Sequence, residues 1–251
     1  MEQSIKSILI TGASRGIGAA TARLAAAQGY RVCVNYLENA SAANSVVDDI
    51  EQAGGKAFAF AANIAEEGDI LAMFERIDSE FGQLDALVNN AGILETQMRL
   101  EAMTADRLQR VFAANVVGNI LCAREAVKRM STNSGGSGGA IVNVSSGAAR
   151  LGSPGEYVDY AASKGAIDTF TIGLAKEVAA EGIRVNAVRP GYIYTDIHAS
   201  GGEPNRVDRL KSRIPLQRGG TAEEVAQAIM WLASDAAAYS TGTFIDVTGG
   251  N

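Results

Sequence analysis

The 251 residues carry 22 basic against 28 acidic side chains, a net charge of −6, with 47% hydrophobic and 20% charged residues. That balance suits a soluble globular core and gives no basic footprint, which excludes nucleic acid and membranes as partners. The start, Met-Glu-Gln-Ser-Ile-Lys-Ser, lacks a basic segment ahead of a long apolar one, and no later run approaches a membrane span, so the expected location is cytoplasmic.

Ser7 to Thr11 reads as a β strand, followed by Gly12-Ala13-Ser14-Arg15-Gly16-Ile17-Gly18 and an Ala-rich helical stretch to Gln28. A glycine turn between strand and helix lets the backbone approach a diphosphate, and the helix start offers free N–H groups and a positive dipole end. Glycines also simply end strands and let helices pack. The placement directly after the first strand is what favours a dinucleotide. Arg31 to Tyr36 reads as the second strand, with Cys33 inside it as a small core residue. Where a carboxylate would grip the adenosine ribose of NAD, Asn35 and Tyr36 stand instead. With Arg15 in the glycine loop this favours NADP(H), while Glu38 leaves NAD(H) possible if it reaches the ribose.

Helical spacing over Asn39 to Ala53 ends at Gly54-Gly55, and Lys56 to Ala61 resumes a strand. Glu67 to Phe81 reads as a third helix, and Leu84 to Val88 as a strand entering Asn89-Asn90-Ala91-Gly92, residue types suited to a tight turn beside a cofactor. Thr104 to Met130 reads as one long helix capped by Thr104. It holds Asn115, whose amide needs a partner if buried, most simply a neighbouring backbone group. Cys122 reads as core, unpaired like Cys33, and no metal cluster is expected.

Ser131 to Gly139 is a Ser/Gly-rich connection, Ala140 to Val144 a fifth strand, and Ser145-Ser146 lies at its carboxyl end. A central helix then runs from Tyr157 to about Glu181. Tyr160 and Lys164 are spaced i,i+4, so the ammonium can sit beside the phenol. A nearby cation favours the phenolate of a group whose ordinary pKa is roughly 10, and the phenol becomes a general acid or base. Ile167, Phe170, Leu174 and Val178 form an apolar stripe on the same helix, either core or oligomer interface. Ile183 to Val188 is a sixth strand entering Arg189-Pro190-Gly191. Residues 192–214 are expected to form a substrate lid, with His198 a solvated side chain in it. Thr221 to Ala233 is a last helix with Trp231 in the core, and Thr243 to Val247 a seventh strand.

Together Thr11-Gly12-x-x-x-Gly16-x-Gly18, Asn89-Asn90-Ala91-Gly92 and Tyr160-x-x-x-Lys164 resemble the motifs of the short-chain dehydrogenase/reductase family, single-domain branch, over nearly the whole chain. The resemblance implies one α/β domain over 1–251, a Rossmann fold with a doubly wound seven-stranded parallel sheet and helices on both faces. It implies a tetrad of Asn115, Ser146, Tyr160 and Lys164, selecting Ser146 over Ser145 and Tyr160 over Tyr157. Lys164 would lower the Tyr160 pKa, and Asn115 would hold a water joining Lys164 to solvent. Cofactor contacts are implied at Gly12, Ser14, Arg15, Gly16, Ile17, Gly18, Asn35, Tyr36, Asn90, Ala91 and Gly92, and on the nicotinamide side at Pro190, Gly191, Ile193 and Thr195. At Asn63-Ile64 the chain departs from the family's usual Asp-Val, leaving Asn63 as an adenine contact through its amide oxygen. A small-molecule carbonyl or alcohol substrate and a homotetramer are implied as well. A 3-oxoacyl thioester reductase and a sugar dehydrogenase share these motifs, and a non-catalytic NADP(H)-binding regulator can share the fold.

Overall fold

A computed structural model describes residues 5–251; the first four residues of the start discussed above lie outside the described residues. The chain alternates strands β1 (Ser7–Ile10), β2 (Arg31–Tyr36), β3 (Lys56–Ala61), β4 (Ala86–Asn89), β5 (Gly139–Val144), β6 (Ile183–Pro190) and β7 (Phe244–Val247) with helices. Those before β5 are α1 (Gly16–Ala27), α2 (Ala40–Gln52), α3 (Glu67–Phe81), α4 (Ala105–Phe112) and α5 (Asn119–Met130). After β5 come α6 (Ala148–Leu151), α7 (Val158–Val178), α8 (Ile197–Ser200), α9 (Arg206–Leu210) and α10 (Ala222–Ala233).

All seven strands pair in parallel in the order β3-β2-β1-β4-β5-β6-β7. Side chains alternate across a strand, so Ile8 and Ile10 enter the core under α1, α2 and α10, while Leu9 enters the one under α3, α5 and α7. Strand order reverses between β1 and β4. Ligands of open α/β sheets bind outside the carboxyl ends of the strands at such a reversal.

Two sequence expectations change, and the alternative left open for the stripe on α7, core or oligomer interface, resolves to core. The helix expected over Thr104 to Met130 is broken by a π-helical segment, Ala113–Gly118, around Asn115. Trp231 is 44% exposed on the outer face of α10, because Val225, Ile229, Met230 and Leu232 fill the inner one. The stripe on α7 belongs to the core: Ile167 and Val178 are buried, and Phe170 and Leu174 pack against the same cluster. Cys33 and Cys122 are buried and free, and burial pushes the Cys122 thiol up to about 12.

Candidate active site

A cavity of about 920 Å³ runs from the glycine turn to the ends of β2 and β3, and one of about 160 Å³ lies beyond the ends of β5 and β6. Ile17, Asn90, Gly92 and Thr195 line both, so the two cavities adjoin.

The glycine turn is shaped by close approach. Gly12 has φ +62°, and a Cβ on Gly18 would lie 2.5 Å from the Gly12 carbonyl oxygen and 2.6 Å from Asn90 Nδ2. Neither position admits a side chain without moving backbone. Asn90 Nδ2 donates to the carbonyls of Thr11 and Gly12 at 2.8 and 3.0 Å, and Thr11 Oγ1 accepts from the N–H groups of Asn90 and Ala91. Helix α1 starts with no side-chain cap and no acidic residue in its first turn. Its N–H groups and positive dipole end are therefore free for an anion, and the chain fits a dinucleotide diphosphate here.

Ser14, Arg15, Gly16, Tyr36 and Glu38 line the wider cavity. Asn35 lines it too but is buried, its Oδ1 accepting from Gly12 N–H at 3.1 Å and its Nδ2 donating to Ala62 O at 3.1 Å. Its amide thus fastens the glycine turn to β2 and β3. Asn63 and Ile64 lie on the same wall, with Asn63 Oδ1 accepting from Ala65 N–H at 3.0 Å. Pro190, Gly191 and Ile193 line the narrower cavity beside Ser146, Tyr160 and Lys164.

Ser146 and Tyr160 line the narrower cavity together. The Lys164 ammonium donates to Val144 O at 2.8 Å and lies 5.6 Å from the centre of the Tyr160 ring. The expected lowering of the Tyr160 pKa by Lys164 is not what the geometry gives. Burial disfavours the charged form of each group: it pushes the phenol up against the opposing effect of Ser146, and it holds Lys164 down at about 8.

Asn115 stands behind this trio, fully buried. Its Oδ1 accepts from Ile93 N–H at 2.7 Å, and its Nδ2 donates to Ile93 O at 3.0 Å and Ser163 Oγ at 3.1 Å. A Cβ on Gly92 would lie 3.1 Å from Asn115 Oδ1 and 3.5 Å from Lys164 Nζ, so the glycine leaves room for both. The π-helical turn frees carbonyls that a regular helix would bond. Asn119 Nδ2 supplies the donor, reaching Ala114 O at 3.1 Å and Asn115 O at 2.9 Å.

Residues 192–214 cover the narrower cavity but are not a loosely solvated stretch. His198 is buried rather than solvated, its Nε2 3.0 Å from Ile193 O, and burial pushes its pKa down. A carbonyl only accepts, so Nε2 carries the hydrogen. Arg206, 6% exposed, pairs with Glu156 at 2.5 Å and Glu203 at 3.3 Å and lies over the rings of Tyr157 and Tyr192. Tyr157 is a wall residue whose hydroxyl donates to Gly201 O at 3.1 Å. Sequence reasoning missed Arg206, the buried Arg107–Asp159 pair and Asp168. The last carried one signal, a charge one turn beyond Lys164 on the same helical face.

A family model described as enoyl-(acyl carrier protein) reductase matches residues 12–251. An Escherichia coli protein named uncharacterized oxidoreductase YgfF is 66% identical over 242 residues, 96% of this chain and 98% of that protein. A 3-oxoacyl-[acyl-carrier-protein] reductase of Staphylococcus aureus is 39% identical over 98% of this chain and 97% of its own length. Among solved structures, a short-chain dehydrogenase of Burkholderia cenocepacia in complex with NADP superposes with a TM-score of 0.90 at 33% identity, covering 99% of each chain. The sheet order, the glycine turn and these likenesses agree: the chain belongs to the short-chain dehydrogenase/reductase family of oxidoreductases.

Proposed function

We propose that this protein is an NADP(H)-preferring oxidoreductase that interconverts a small neutral carbonyl compound and its secondary alcohol. The observation that carries the reading is Ser146 and Tyr160 beside Lys164, in a cavity that adjoins the glycine cradle. When bound, the dinucleotide supplies a hydride or takes one back. Ser146 and Tyr160 hold the carbonyl oxygen by hydrogen bonds, and Tyr160 gives it a proton. Lys164 keeps positive charge beside the Tyr160 ring, 5.6 Å from its centre. Asn115, by clamping both backbone groups of Ile93, keeps the loop after β4 beside Lys164.

Preference for NADP(H) is supported by Arg15 and Ser14 on the cavity wall and by an amide and a phenol, not a carboxylate, ending β2. Glu38 at the same rim is the group that would permit NAD(H). A small neutral substrate is supported by the apolar wall of Leu94, Val144, Leu151 and Ile197 and by three of the four lid cations, Arg206, Arg209 and Lys211, being paired with a carboxylate, which leaves Arg213. A lid with four basic against three acidic residues is no basic cluster for an acidic carrier protein. Within the single domain 1–251, residues 192–214 would act as the substrate lid. We further read the protein as a cytoplasmic homotetramer, with Phe112, Val117 and Ile172 exposed for the contact.

The test is NADPH and NADH consumption across ketones, oxoacyl thioesters and sugar-derived carbonyls, with Tyr160→Phe alongside. Turnover with NADPH that falls about 100-fold or more in the variant is expected. An equally active variant overturns the assignment.

A further inference from the structure

We propose that Asp168 is a positioning residue of this site, holding the ends of β5 and β6 in fixed relation to the Tyr160–Lys164 face of α7. The inference rests on the oxidoreductase reading above.

Asp168 lies four residues after Lys164 and eight after Tyr160, so the three share a face of α7. Its carboxylate reaches two other elements. Ser145 Oγ donates to Asp168 Oδ1 at 2.6 Å, with Lys164 O 3.3 Å away, and Arg189 Nε donates to Asp168 Oδ2 at 2.9 Å. Ser145 is the neighbour of Ser146, and Arg189 directly precedes Pro190-Gly191. The backbone closes the same loop: Ser145 N–H donates to Val188 O and Gly147 N–H to Pro190 O, both at 2.9 Å. One carboxylate thus braces Ser145, next in the chain to the serine beside Tyr160, the strand end lining the cavity and the helix of the lysine.

Arg189 is itself fixed from behind. It stacks 3.9 Å from the centre of the Phe244 ring and lies 3.5 Å from Asp246, which also binds Arg150 of α6. The arrangement is directional, because a carboxylate accepts from a hydroxyl and a guanidinium at once and no neutral side chain does this as well.

The same position bears on charge. Lys164 faces Tyr160 and Asp168 from its own helix, the Val144 carbonyl from β5, and Arg189, through Asp168, from β6, with Ser145 and Ser146, just past β5, on the same cavity wall. From the loop after β4 it faces Asn90 and Gly92, and from the π-helical segment Asn115, all neutral. Asp168 is the anion of that set among the described residues. Its field opposes the burial that lowers Lys164. Removing it should release the lysine proton at lower pH.

The test compares wild type with Asp168→Asn and Ser145→Ala in two measurements. One is the pH profile of kcat with NADPH. The other is the 15N NMR titration of the Lys164 side chain in protein without cofactor, the resonance assigned by its loss in Lys164→Met. Asp168→Asn is expected to lower kcat about 10-fold or more, and to move both the alkaline limb and the Lys164 midpoint down by about half a pH unit or more. Ser145→Ala, which removes the β5 arm of the brace but not the charge, is expected to lower kcat and leave the midpoint in place. Asp168→Asn with unchanged kcat and midpoint overturns the proposal; so does a lowered kcat with an unmoved midpoint, which marks a structural role alone. A wild type inactive on every carbonyl, with a midpoint that moves in Asp168→Asn, overturns the functional reading while supporting the link between Asp168 and Lys164.

Discussion

The Lys164 ammonium donates to the Val144 carbonyl oxygen at 2.8 Å, so the cation is held by the end of β5 rather than by the phenol four residues before it. The arrangement has a thermodynamic cost. A folded pKa of about 8 against an ordinary 10.5 means that the folded protein gives up this proton before the unfolded chain does. The gap costs about 3 kcal/mol at neutral pH, and the cost disappears as pH climbs from about 8 to 10.5. Lys164→Met should therefore unfold at higher urea than wild type at pH 7, and lose that advantage by pH 10.5. Its turnover should fall about 100-fold or more.

Arg107 and Asp159 form a buried pair, Nε to Oδ2 at 2.7 Å, with side chains 3% and 1% exposed. Arg107 Nη1 also donates to Thr96 O at 2.6 Å, tying the first turn of α7 to α4 and to the loop after β4. Arg107→Met leaves a carboxylate buried without its partner and should cost about 3–5 kcal/mol in urea unfolding. Adding Asp159→Asn should recover at least half of that loss. A double variant as unstable as the single one would show that the guanidinium acts through Thr96 instead.

A glycine-to-alanine change separates cradle from catalysis. In Gly18→Ala the new methyl meets the Gly12 carbonyl oxygen at 2.5 Å, backbone that cannot swing aside. We expect NADPH affinity to fall about 10-fold or more, read by fluorescence titration, together with a loss of about 1–3 kcal/mol in stability. Gly29→Ala makes the control, since nothing lies within 4 Å of its Cβ position; its φ of +87° should cost stability without weakening NADPH.

The lid supplies a fourth prediction. Arg206→Met keeps much of the stem that packs on Tyr157 and Tyr192 but loses the bonds to Glu156 and Glu203. KM for the carbonyl substrate should rise about 10-fold while the Kd for NADPH stays within about 2-fold. A change in both constants would place Arg206 in the support of the whole site.

How far the site was legible depends on the range of each interaction. The glycine turn and Tyr160–Lys164 are local patterns: a strand followed by a turn, and two side chains one helical turn apart. They could be read before any tertiary contact was known. Asp168 meets Ser145 and Arg189 across 23 and 21 residues, and Arg107 meets Asp159 across 52, so their partners emerge only once the sheet is assembled. The burial of His198 depends likewise on where the backbone of Ile193 runs. Trp231 misled for a different reason. Its apolar character suggested core, but the inner face of α10 is already filled by smaller side chains.

The π-helical turn at Ala113–Gly118 has a consequence for how the two halves of this long helix can be treated. One surplus residue advances an α-helix by roughly 100°, so α4 and α5 are out of phase with each other by about that angle. Deleting a residue within the turn would restore a regular helix and carry Asn115 away from Ile93 and Ser163, even if every side chain were kept. The site therefore depends on a count as well as on identities, and comparisons that score substitutions alone would pass over its loss.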